Sequence, residues 1–124
     1  MVEKKSKDEE PPSPRAMRMT PQTQAVLRAL LVDPAEELYG LQICSAAELP
    51  SGTIHPILAR LGSAGWLESR WEDADPSEQG RPRRRYYRLN PDGVERARSA
   101  LAVASAKRSA LRAQQPGFAI GTAS

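Results

Sequence analysis

The residues with the most evident chemistry sit in "RPRRRYYR", Arg81 to Arg88, where five arginines and two tyrosines stand with no acid between them. So dense a cationic patch expects a polyanion, and the competing reading is a solvated loop that serves solubility. A second set precedes it in "SGTIHPILARLGSAGW", Ser51 to Trp66. Read as a helix, this stretch turns Ile54, Ile57, Leu58 and Leu61 to one side. To the other it turns Gly52, Pro56, Ala59 and Ser63, flanked by Thr53, His55 and Arg60. A helix face in solvent is expected to carry Lys and Glu, which are strong helix formers, so their absence here points to contact. The free N–H groups and positive dipole at the start of such a helix suit a phosphate, and Thr53, His55 and Arg60 can reach base edges or the backbone. The alternative is a linker helix whose small residues pack on a neighbouring subunit.

Other chemistry is thinly supplied. Cys44 is the single cysteine and His55 the single histidine, which leaves neither an intrachain disulfide nor an ordinary structural zinc site, and no cofactor is implied. Without paired carboxylates in a readable pocket, catalysis lacks its usual groups, and an enzyme is not expected. Cys44 reads first as a small buried hydrophobe and second as a redox-sensing thiol. His55 reads as a polar contact, with pH-sensitive binding as the alternative. Trp71 and Tyr87 alternate with charged neighbours and read as hairpin core, an effector pocket being the second reading. Too few aromatics are spaced as a stacking platform for single-stranded RNA.

These groups need elements to position them. At 124 residues, 40% of them hydrophobic, the chain fits one domain with a modest core, and its net charge of +3 says less than the sorting of the charges. No apolar run approaches the roughly 18 residues of a membrane span, and the charged start "MVEKKSKDEEPPSPR" does not resemble a signal peptide, so a cytoplasmic protein is expected. Residues 1–18 read as a disordered arm and 115–124 as a flexible tail. Between them, Thr20 is placed to cap a first helix with Pro21 in its first position and Ala25, Val26, Ala29 and Leu30 on its inner side. A second helix is expected from about Leu38 to Ala47, presenting Leu38, Leu41, Ile43 and Cys44, and a third begins with Ser51 as its N-cap. In that third helix Pro56 crowds the carbonyl of Gly52, whose lack of a side chain eases the fit. Gly65 is placed to end it, with Trp66 packing back.

Trp66–Glu72 and Arg84–Asn90 alternate as two strands of a hairpin, joined by a connection too long for a tight turn and expected to be mobile at its tip. Asn90, Pro91 and Asp92 then supply an N-cap, a first-turn proline and an acid at the positive end of a long helix running to about Gln114. The fold class expected is mainly α with a small β-hairpin: a winged helix-turn-helix over 19–90 and a C-terminal dimerisation helix over 91–114. Along that helix Val94, Ala97, Leu101, Ala104 and Leu111 fall on a heptad-like seam interrupted by Arg108, which one helix cannot cover alone. Its first half is equally suited to folding back on the first helix.

Three ordered motifs, "LYGLQI" at Leu38–Ile43, "SGTIHPILARLGSAGWLESRWE" at Ser51–Glu72 and "GRPRRRYYRLNPDG" at Gly80–Gly93, resemble the PadR family of transcriptional regulators. The resemblance spans about Thr20 to Leu111. It implies a winged-helix homodimer that represses transcription, in a short form with one C-terminal helix. His55 stands where the family usually has tyrosine, and Glu48 where glycine is commoner. The DNA-binding set expected is Ser51, Gly52, Thr53, His55, Pro56 and Arg60 on the helix, with Arg81, Arg83, Arg84, Arg85, Tyr86 and Arg88 on the wing. The partners expected are double-stranded DNA at an inverted repeat, a second copy of the chain, and an effector of unknown identity, with no membrane. The alternative function is a protein-interaction module gripping an acidic partner with the basic wing.

Overall fold

The computed structural model describes residues 17–113. The arm expected over 1–18 lies almost wholly outside these residues, as do Gln114 and the tail expected over 115–124. Helix α1, Pro21–Leu31, starts as expected: the Thr20 hydroxyl accepts from the Thr23 N–H at 3.1 Å and Pro21 takes the first position. It buries Val26, Leu27 and Leu30.

The next element departs from expectation. Leu38–Tyr39 form a short strand, β1, and α2 occupies Gly40–Ala47. Leu41, expected on the inner side, is 72% exposed, while Ile43 is fully buried and Cys44 packs against the core at partial exposure. Glu48 ends α2 in the left-handed region at φ 59°, where glycine sits without steric penalty, and the Leu49 N–H closes the turn on the Cys44 carbonyl at 3.0 Å.

Helix α3 runs Ser51–Ser63, and its N-cap is Pro50 instead of Ser51. The Pro50 carbonyl takes the first helical bonds from Thr53 and Ile54, so Ser51 becomes the first helical residue and its hydroxyl makes no cap. Ile54, Ile57, Leu58 and Leu61 are buried, as their spacing requires. The C-terminus closes on Gly65 at φ 82°, with the Trp66 N–H donating to Leu61 and the Gly65 N–H to Gly62.

Strands β2, Leu67–Trp71, and β3, Arg85–Leu89, form the expected hairpin, pairing Leu67 with Leu89, Ser69 with Tyr87 and Trp71 with Arg85. β1 adds to the other edge of β3, making a three-stranded antiparallel sheet where two strands were expected. A two-residue strand has no periodicity to detect; it exists because β3 offers it an edge. The connection holds a one-turn helix, α4, Pro76–Gln79, whose Asp75 carboxylate caps the Ser77 N–H at 3.0 Å.

Helix α5, Pro91–Ala113, is anchored at its start. The Asn90 side chain accepts from the Gly93 N–H at 2.6 Å and donates to the Gly65 carbonyl at 2.8 Å, while its backbone N–H donates to Trp66. Gly93 is required there, since a Cβ would lie 2.0 Å from the Trp66 carbonyl oxygen. Trp66, Leu89 and Ala97 join the helical core at this junction. No described helix is long and apolar enough to cross a membrane.

Candidate nucleic-acid interface

The outer face of α3 is open. Ser51, Gly52, His55, Pro56, Ala59 and Arg60 are exposed and Thr53 is half-buried. A Cβ at Gly52 or Gly62 would meet nothing within 4 Å, so packing within the chain does not demand their smallness. Beside this face runs a cleft of about 230 Å³, bounded by His55, Ala59 and Gly62 of α3 and by Ser69, Arg85 and Tyr87 of the hairpin. The structure thus brings the sequence-predicted helix residue His55 and the wing residue Arg85 to one site.

The other wing residues divide by strand alternation. One face of the hairpin, turned to α3, carries Leu67, Ser69 and Trp71 opposite Leu89, Tyr87 and Arg85. Near α3 this face is core, with Leu89 buried; at the tip it is exposed. Trp71, expected in the hairpin core, is 54% exposed, because it stands four residues beyond Leu67, roughly 13 Å along the strand, where the helices no longer cover it. The Arg85 guanidinium lies 5.1 Å from the Trp71 ring centroid and donates to the Ser69 hydroxyl at 2.8 Å.

The far face carries Arg84, Tyr86 and Arg88, and acids meet most of its cations. Arg88 pairs with Glu68 at 3.1 Å, directly across the ladder, and Arg70 pairs with Glu37 through two bonds of 2.8 Å. Arg81, at the base of the connection, forks onto both oxygens of Glu72 at 2.8 and 3.0 Å. Arg81, with the Arg84 N–H, holds the Glu72 carboxyl down at about 2, and Arg70 likewise lowers that of Glu37. Arg84 lies over the Tyr39 ring at 4.0 Å, and Tyr39 meets Tyr86 edge to face. Arg83 is exposed, just before β3 begins. The run of five wing arginines is therefore not one patch. The register was the missing signal: it sets Glu68 opposite Arg88 and Trp71 opposite Arg85.

The C-terminal seam also divides. Ala97 is fully buried within its own chain, and Val94 and Leu101 pack partly on the same core, so Ala97 is corrected from a dimer contact to a core residue. Beyond it, Ala104 and the 56% exposed Leu111 remain available, together with Val103 at 64%, which the heptad pattern missed. These three line an open groove of about 1140 Å³ between α5 and the start of α1, where Met17 and Met19 also lie. Arg108 ties the groove walls together by donating to the Gln24 side-chain oxygen at 3.0 Å.

Residues 30–99 match the model of the transcriptional regulator PadR-like family. No curated protein matches the chain. Among solved structures the fold is similar to the PcaV transcriptional regulator from Streptomyces coelicolor, at 23% identity over 83% of this chain and 69% of that one, with a TM-score of 0.63. PcaV in complex with its natural ligand gives 23% identity, 85% and 68% coverage and a TM-score of 0.60. A MepR mutant of S. aureus bound to an oligodeoxyribonucleotide gives 14%, 98%, 84% and 0.58. These likenesses establish the winged-helix fold.

Proposed function

Because the chain belongs to the PadR-like family of transcriptional regulators, we propose that it binds double-stranded DNA as a homodimer and represses transcription from an inverted-repeat operator. The observation that carries this reading is the outer face of α3: exposed, free of Lys and Glu, and bordered by a cleft that Arg85 shares. Such a helix fits closely into a major groove, with Thr53, His55 and Arg60 at base edges and the α3 N-terminus, from Ser51, at a phosphate. Gly52 and Pro56 let the groove wall approach. On the wing, Arg85 and Arg83 are the phosphate contacts, with Arg81 and Arg88 reduced to supporting roles by their acids and Arg84 and Tyr86 stacked on the far face.

Pairing of two copies uses Ala104, Val103 and Leu111 on α5 against the groove beside α1, whose apolar lining needs a cover. A two-fold dimer sets the half-sites about one helical turn, ~10 base pairs, apart or a multiple of it. Selection of bound sequences from a random duplex library at physiological salt tests the proposal. An enriched inverted repeat supports it; recovery of no motif, with binding abolished by modest salt, returns the wing to a plain electrostatic patch and favours a protein-interaction module.

A further inference from the structure

We propose that Trp71 is a positioning residue for DNA binding, holding the Arg85 guanidinium in place for a backbone phosphate beside α3. The inference rests on the DNA-binding reading above. Trp71 is a large aromatic that the core does not use, 54% exposed at the end of β2. It stands directly opposite Arg85 in the ladder, on the sheet face turned to α3. Three side chains of that face act together: the indole beneath the guanidinium at 5.1 Å, the Ser69 hydroxyl on its Nη2 at 2.8 Å, and Arg85 itself. The guanidinium keeps further N–H donors free, and among the described residues no carboxylate pairs with it. On the far face of the same strand Arg88 has such a partner.

A long side chain loses rotamer freedom when it binds, and holding it beforehand removes that cost from the binding step. The cation–π contact also strengthens when a docked duplex excludes water from it. Trp71 therefore adds affinity without adding a charge, which separates its effect from that of Arg85.

The experiment measures affinity for a selected duplex by fluorescence anisotropy over a salt series. It compares the wild type with W71A, W71F, R85A and the W71A/R85A double variant, each checked for an unchanged thermal midpoint. R85A is expected to make the log-affinity against log-salt slope shallower by about 0.9. W71A is expected to weaken binding by roughly 3- to 10-fold with the wild-type slope, and W71F to recover most of that loss. In the R85A background, W71A is expected to cost nothing further. Wild-type affinity in W71A, or an undiminished loss from W71A when Arg85 is already absent, overturns the positioning role. A wild-type protein with no preference for the selected duplex sinks the DNA-binding reading itself, which is a separate result.

Discussion

The two faces of the wing hairpin are built from the same strands and yet are chemically opposite. The face toward α3 begins in the core at Leu67 and Leu89 and ends in an open tip where Arg85 rests on Trp71. The far face is a lattice of compensated charge, in which Glu37, Glu68 and Glu72 hold Arg70, Arg88 and Arg81. A guanidinium already forked onto a carboxylate has less to gain from a phosphate, since it must lose one anion to meet another. On the proposed DNA-binding reading, the number of arginines in the wing therefore overstates its grip, and the side of the strand on which each one stands decides its use.

The largest way to break this comparison is to remove the core end of one face. Leu89→Ala is expected to cost about 2–5 kcal/mol in urea unfolding, whereas Arg88→Ala, one residue earlier on the exposed far face, is expected to cost about 0–1. Equal losses would mean that the far face carries structural weight that its exposure conceals. Next in size, Gly93→Ala forces a methyl group onto the Trp66 carbonyl and is expected to lower stability by about 1–3 kcal/mol or more, as the base of the hairpin and α5 separate. Thermal unfolding of this variant would show no change if the junction were loose.

Binding sharpens the comparison further. Arg85→Ala is expected to flatten the salt dependence by about 0.9, while Arg84→Ala, on the far face, leaves it near the wild-type value. In the reverse direction, Glu68→Gln together with Glu72→Gln frees Arg88 and Arg81, and binding to duplexes of any sequence is expected to tighten at low salt. The smallest effect is on pH. The folded-state pKa of Glu72 is depressed, so its ion pair with Arg81 is fully present above the ordinary carboxylate range and is lost as pH falls through about 2. A carbon-13 NMR titration of the Glu72 carboxyl should place its midpoint there, and Arg81→Ala should return it upward toward ordinary carboxylate values.

Local signals in the sequence found much of this architecture. Thr20 with Pro21, and Asn90 with Pro91, opened helices where their chemistry required, and Gly65 closed α3 in the left-handed region. The departures have two sources, a local backbone bond at the start of α3 and, for the rest, partners distant in the chain. Pro50 displaced Ser51 as the cap because its backbone carbonyl, which no side-chain preference reports, was already placed to accept. Strand β1 needed the edge of β3, and the acids of the far face needed the ladder register before they could be matched to arginines. Trp71 alternates correctly for a core residue, but alternation says which face a residue joins and not how far along that face the core extends. The α5 seam divides in the same way: Ala97 follows the heptad and α5 buries it in its own domain, as the fold-back alternative for the first half allowed, while Ala104 and Leu111 stay at least partly exposed.

Amide chemical-shift mapping during titration with a selected duplex tests the central claim most directly. The account predicts that the largest shifts fall on Ser51, Gly52, Thr53 and His55 of α3 and on Ser69, Trp71 and Arg85 of the wing. Residues Glu37, Arg70, Tyr86 and Arg88 on the far face should move little. Shifts concentrated on the far face, with α3 unmoved, would contradict it.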